Sequence, residues 1–285
     1  MLRATFDFDE PAHAETAPRS ETADAGAWSA ECRARASLYR LLGGVFVEEP
    51  SPAFLNELRV PVVVQTLADA GIVFAPDFLG TDIHGLAEQL ACEYATLFAS
   101  SGGFPPVESV RLTGRFKQEP HFQVSQIYRQ LGFRLRGGRF EVFPDQLGVE
   151  LMLVAELLAR QAAALDRGDL ATSRMLDKEI KRFWTLHLGR WVRGYCALVE
   201  RAANHSFYAG MARLLAGFAQ EEIVAMGLSH LDDLDGGQLE VPKSEIKLEF
   251  NPDEPVCGEC PAGPGDRQSA MSATRVIPIA LQAGA

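Results

Sequence analysis

The sequence predicts an all-α protein. Apolar residues through the middle of the chain recur at steps of three and four, and about eight such runs follow one another. Strand-like segments do not alternate with them, so a βα architecture is not expected. A length of 285 residues, with 47% hydrophobic and 23% charged side chains, is an ordinary balance for a globular chain able to bury a core.

The elements follow in order. The first helix is expected to begin near Trp28 and to carry Leu38, Leu41, Leu42 and Val45. Ser51-Pro52 reads as an N-cap followed by proline at the first helical position, where a missing N–H loses no helical partner. Leu86, Leu90, Tyr94, Leu97 and Phe98 form the next amphipathic run. Phe133, Leu135, Phe140 and Val142 alternate around Gly137-Gly138, which reads as a two-stranded hairpin or as an irregular loop between helices. Leu147, Leu151, Val154, Leu158, Ala162 and Leu165 then make the clearest single stripe. A further apolar run passes through Ile180, Phe183, His187, Trp191, Tyr195 and Leu198, widened by Trp184 and Leu188. The last comprises Phe207, Met211, Leu214, Leu215, Phe218 and Ile223.

Charge is spread unevenly. Residues 1–30 hold six acids and two bases, and residues 231–285 hold ten acids and four bases. The middle therefore keeps 22 of the 38 acids and 21 of the 27 bases, so most of the net charge of −11 belongs to the ends. The first end is rich in Ala, Glu and Thr without periodicity, and the second is rich in Pro and Gly. Such segments bury too little apolar surface to offset their ordering entropy. Residues 1–27 and 231–285 are thus expected to be flexible acidic tails around one helical domain, residues 28–230.

Several chemistries find no support. There is no nucleophile elbow, phosphate loop, zinc-protease helix or dinucleotide fingerprint, and the six histidines are scattered. His187, on an apolar face between Phe183 and Trp191, reads as a packed histidine with a hydrogen-bond partner. Arg111, Arg115, Lys117, Arg129, Arg134, Arg136 and Arg139 are basic, but Glu108, Glu119, Glu141 and Asp145 interleave with them. A solvated surface is the favoured reading, and no nucleic-acid partner is expected. No stretch reads as a signal peptide or membrane span, and five cysteines without framework spacing fit a reducing compartment, so a cytoplasmic location is expected. Cys257-Gly258-Glu259-Cys260 is the one metal or redox motif. Two thiolates make half a zinc site, and the alternative is an exposed pair on a tail.

Three segments in series carry a resemblance. The first is Glu93-Tyr94-Ala95-Thr96-Leu97-Phe98, followed by Phe104-Pro105-Pro106-Val107-Glu108-Ser109. The second is Phe143-Pro144-Asp145-Gln146-Leu147-Gly148-Val149-Glu150-Leu151, entering the long apolar helix. The third is Phe183-Trp184-Thr185-Leu186-His187-Leu188-Gly189-Arg190-Trp191, followed by Phe207-Tyr208 and Phe218. In order and spacing they resemble the TorD/DmsD/NarJ family of redox-enzyme maturation chaperones, over about residues 30–226.

The resemblance implies a TorD-like helical bundle and a cytoplasmic chaperone rather than an enzyme. Its partner would be the molybdopterin-containing catalytic subunit of an oxidoreductase, often bound through a twin-arginine signal peptide. The chaperone would support cofactor insertion and prevent premature export. Carried over by position, the binding residues would be Pro144, Asp145, Leu147 and Glu150, with Gln146 where the family often has histidine. Glu93, Tyr94, Phe98, Pro106 and Glu108 match the earlier family segment. An arginine pair beside an apolar segment calls for carboxylates beside an apolar groove, and Asp145 and Glu150 lie at the start of the apolar helix. Asp145 is also a candidate N-cap of that helix.

Overall fold

A computed structural model describes residues 19–99, 103–135, 142–228 and 231, with side chains described from residue 25 onward. The helices in order are α1 (Arg19–Val47), α2 (Pro52–Leu58), α3 (Pro61–Asp69), α4 (Pro76–Leu79), α5 (Ile83–Leu97), α6 (Glu108–Thr113), α7 (Glu119–Gln130), α8 (Leu147–Asp166), α9 (Leu170–Leu186), α10 (Val192–Ala202) and α11 (Ser206–Ala225). The all-α class holds: among the described residues there is no strand, only isolated bridge pairing such as that of Val107 with Gln146.

The Leu147 stripe becomes the centre of the bundle. Leu147, Leu151, Val154, Leu158, Ala162 and Leu165 are all buried, but so are Val149, Leu153 and Leu157 on other faces of α8. A helix that is apolar most of the way round must be enclosed, and α1, α9 and their neighbours enclose it. α1 runs antiparallel to α8. At one end Ser29 donates to the Ala162 carbonyl at 3.2 Å and to Asp166 at 2.7 Å, and Arg33 pairs with Asp166. At the other end the backbones nearly touch: a Cβ on Gly148 would stand 2.4 Å from the Gly43 carbonyl oxygen and 2.4 Å from Val47 Cγ2. Only glycine permits that approach.

A polar network binds α1 to α9 and α11. Arg35 grips Glu222 with two hydrogen bonds, 2.9 Å from Nε and 2.6 Å from Nη2. Tyr39 donates to the same carboxylate at 2.7 Å, and the Trp184 indole donates to the Tyr39 oxygen at 2.9 Å. Burial, with the Glu222 charge beside it, pushes the Tyr39 hydroxyl far above its ordinary range, so it remains a donor.

Two local expectations change. α1 starts at Arg19 rather than near Trp28, so residues 19–27, expected within a disordered tail, are helical. That stretch has no apolar stripe, but Arg, Glu and Ala extend an existing helix readily. The apolar run from Ile180 through Leu198 is two helices separated by a 3-10 turn, Leu188–Arg190. His187, with φ −128° and ψ −94°, ends α9. Gly189 lets the turn fold back, since a Cβ there would stand 2.7 Å from the Trp184 carbonyl oxygen. Leu135 holds a bridge position, and Gly137, Gly138 and Phe140 lie outside the described residues, as does the turn of the hairpin considered there. Elsewhere the expectation stands: Ser51 caps α2 through Phe54 N–H at 3.3 Å, with Pro52 opening the helix.

Candidate functional site

The site is organised around the end of α1. The carbonyl of Phe46 is one of the last four of that helix, which have no partner within it. Two side chains satisfy it. Tyr94 Oη, from α5, donates to it at 3.0 Å, and Gln146 Nε2 donates to it from the residue before α8. Gln146 Oε1 in turn accepts from Val149 N–H at 3.1 Å, so Gln146 is the N-cap of α8, the place where Asp145 was a candidate. The segments before α6 and α8 lie side by side: Leu147 N–H donates to the Pro106 carbonyl and Glu108 N–H to the Asp145 carbonyl, each at 2.8 Å.

These elements surround a groove of about 620 Å³. The end of α1 contributes Val47 and Glu49, α5 contributes Ala91, Tyr94 and Ala95, and Phe98 follows at its C-cap. Pro105, Pro106 and Val107 come from the segment before α6, Phe116 from the α6–α7 connection, and Val142, Phe143 and Gln146 from the approach to α8. Aromatic rings line much of it. Tyr94 and Phe98 meet edge to face at 4.8 Å, and Phe116 stacks on Phe143 at 5.1 Å. The lining is apolar except for Glu49 and Gln146. Burial raises the Tyr94 hydroxyl well above its ordinary range, and the Glu49 and Glu48 carboxylates push the same way. Two carboxylates thus stand near this end of the groove.

Beneath the groove lies a closed acidic cluster. Glu108, Asp145 and Glu150 are each fully buried. Glu108 Oε2 meets His187 Nδ1 at 2.9 Å, so the histidine on the apolar face is held by an acid. Asp145 Oδ2 accepts from Ser109 N–H at 3.0 Å, and its Oδ1 lies 3.1 Å from His121 Nδ1. Neither Glu150 oxygen has a hydrogen-bond partner of ordinary geometry, although Glu108 and the Trp191 indole are among its polar neighbours. Burial drives the Glu150 carboxyl well above its usual range, and the charges of Glu108 and Asp145 add to the effect. A protonated Glu150 lowers the charge the three acids would otherwise bury together.

The family model described as the nitrate reductase delta subunit matches residues 63–197. Over that stretch the chain is similar to the NarJ/TorD-type chaperone family. A comparison with curated proteins finds no match. This family is one of molybdoenzyme assembly chaperones, which bind a molybdoenzyme catalytic subunit. The match runs from α3 into α10, so it takes in the groove residues from Ala91 to Gln146 and the whole acidic cluster. The α1 residues of the groove, Val47 and Glu49, precede the matched stretch.

The residues assigned to client binding from the family's motif separate into three groups. Tyr94, Phe98, Pro106 and Gln146 line the groove. Glu108, Asp145, Leu147 and Glu150 are buried under it, and Pro144 accepts from Tyr128 Oη at 2.8 Å. Glu93 faces elsewhere: its Oε1 accepts from Asn204 N–H at 2.6 Å and His205 N–H at 3.0 Å, tying α5 to the start of α11. The sequence reading missed Val47, Glu49, Ala91, Ala95, Phe116 and Phe143. The one available signal was Glu48-Glu49 at the end of an apolar helix, opposite an alanine pair four residues apart in α5. Among the described residues, no group of three or more His, Cys, Asp or Glu could hold a metal ion, and no helix is long and apolar enough to cross a membrane. Cys257 and Cys260 lie outside the described residues.

Proposed function

We propose that this chain is a cytoplasmic assembly chaperone for the molybdopterin-containing catalytic subunit of an oxidoreductase, and that the groove takes the subunit's twin-arginine signal peptide. A signal of this kind presents two guanidinium groups beside an apolar segment. The observation that carries the reading is an aromatic-lined groove with acidic side chains at one end: Tyr94 and Phe98 suit the apolar segment, and Glu49 with its exposed neighbour Glu48 suits the arginines. The family match over residues 63–197 supports the same class of partner.

This moves the electrostatic role. Asp145 and Glu150 were expected to meet the arginines, but both have 0% exposure, and stripping a guanidinium of water to reach them is costly. In this reading they shape the base of the groove, while Glu48 and Glu49 do the pairing.

The test starts from pull-down in the native host, which identifies the molybdopterin subunit, followed by calorimetry with its signal peptide. Ala95 is exposed on α5, so Ala95→Trp fills the groove without disturbing the core. It should weaken binding at least about 10-fold, the equivalent of about 1.4 kcal/mol. Glu48→Gln with Glu49→Gln should weaken it and reduce its salt dependence. Full-strength binding to the Ala95→Trp protein would put the signal peptide elsewhere.

A further inference from the structure

α9 carries four bases, Arg174, Lys178, Lys181 and Arg182, against two acids, Asp177 and Glu179, in a part of the chain where the two signs are otherwise nearly balanced. Its inner face is set by Ser173, Leu176, Ile180, Phe183 and Trp184, all buried. At about 100° per residue, an outer arc of roughly 160°, from Leu170 round to Leu186, faces away from them. All four bases fall inside that arc, and both acids fall outside it. Among the described residues no ion pair holds Arg174, Lys178 or Lys181, and Arg182 meets Glu179 only at 3.9 Å, at the edge of the arc. A plain solvated surface would not explain Met175 and Leu186, which stand beside Arg182 at 53% and 43% exposure.

We propose that the outer face of α9 is a docking surface for an anionic phospholipid bilayer. Met175 and Leu186 enter the interfacial layer, while Arg174, Lys178, Lys181 and Arg182 carry their charged ends to the lipid phosphates. The contact lies on the bilayer surface: among the described residues no helix is long and apolar enough to cross a membrane. No α9 residue lines the groove, so the docking does not depend on what the groove binds.

The composition of the face favours a bilayer over other polyanions. A nucleic-acid duplex would engage the bases and leave Met175 and Leu186 in water, whereas a bilayer takes up both kinds of side chain. The 17 residues of α9 rise roughly 25 Å, so the bases can meet several headgroups at once. The net charge of −11 does not forbid the contact, because exposed charges more than about 8 Å away are largely screened at physiological ionic strength. Each base close to an anionic bilayer strengthens binding about 5-fold. Four bases together give an advantage of several hundred-fold over a neutral bilayer, enough for reversible attachment and too little for permanent anchoring.

The experiment is co-sedimentation of the full chain with vesicles of phosphatidylcholine alone, or of phosphatidylcholine and phosphatidylglycerol in equal parts. The chain should bind only the anionic vesicles and should be released by high salt. Arg174→Gln with Lys178→Gln and Lys181→Gln should weaken binding at least about 50-fold. Met175→Ser with Leu186→Ser, which leaves the charge unchanged, should weaken it about 3-fold or more. All five side chains are exposed, so neither variant disturbs the core, and circular dichroism checks that both remain folded. Arg129→Gln with Arg201→Gln, exposed bases on α7 and α10, should bind like the unmodified chain. No binding to anionic vesicles, equal binding to neutral ones, or a triple variant that binds as well as this control would overturn the proposal. Full-strength binding by the serine variant, or duplex DNA held as tightly as the vesicles, would make the face a general polyanion site and overturn it equally.

Discussion

Replacing Glu150 by Gln should stabilise the protein, and more so as the pH rises. The carboxyl is buried in the first turn of α8, with Glu108 and Asp145 among the groups that raise its pKa and without a hydrogen bond of ordinary geometry at either oxygen. In the unfolded chain it titrates near its ordinary value of 4.5, whereas in the folded chain it holds its proton to well above that. Between those two values the folded state binds one proton more than the unfolded state. Stability therefore falls as pH rises through this window, by up to about 1.4 kcal/mol per pH unit. The contribution is fully present below the unfolded value and is lost by the time pH passes the folded one. Gln has nearly the same shape and carries no proton to lose, so the variant escapes the slope. From pH 5 to pH 7 the unmodified protein should lose up to about 3 kcal/mol that the variant retains, or roughly 6–10 °C in Tm for a domain of this size. Denaturant titrations of both proteins at pH 5, 6, 7 and 8 measure the difference directly, because every other titrating group is common to both. Parallel stability curves would refute the argument and mean that Glu150 is ionised in the folded protein.

Three further outcomes follow from the packing. Glu222→Ala leaves Arg35 and the Tyr39 hydroxyl without their shared acceptor at the α1–α11 junction, and should cost about 3 kcal/mol in denaturant unfolding. Tyr39→Phe removes the link between Glu222 and the Trp184 indole and should cost about 1 kcal/mol, with Trp184 fluorescence reporting the changed environment. Gly148→Ala puts a methyl 2.4 Å from the Gly43 carbonyl oxygen, and should cost about 1–3 kcal/mol by forcing α1 away from α8. With the signal peptide in the groove as proposed, it should also weaken that binding, because Val47 and Gln146 line the groove close to the contact.

The helices that the sequence disclosed best are those whose stripes are continuous. α8 and α11 were legible from Leu147 and Phe207 onward because each turn places an apolar residue on the same face. The division between α9 and α10 was hidden because the 3-10 turn keeps Leu188 and Trp191 buried, so the apolar spacing carries on across the break. The beginning of α1 was hidden for the opposite reason: its first residues are helix formers with no stripe to announce them. The groove was only half legible. Tyr94, Phe98, Pro106 and Gln146 were found through the family's motif, but small residues such as Ala91 and Ala95 give no sign of lining anything until helices distant in sequence come together. The burial of the acidic cluster was not legible, for a general reason. A charged side chain near a helix start is usually exposed or capping, whereas here all three carboxylates are enclosed and the cap is an amide.

The close contact of Gly43 with Gly148 has a mechanical meaning for the groove. α1 and α8 are antiparallel rods held at two places, the glycine contact and the Ser29, Arg33 and Asp166 clamp. Residues 29 and 43 are roughly 20 Å apart along a helix rising 1.5 Å per residue. At the clamp, side chains can bend. At the glycines the backbones meet directly, with only the Val47 and Met152 side chains beside them. Val47 and Gln146 sit within one turn of that rigid point, so the entrance they flank lies near the fulcrum of the pair, where a given rotation moves atoms least. A rotation of the two rods about the glycine contact would therefore change the groove less there than at the Asp166 end.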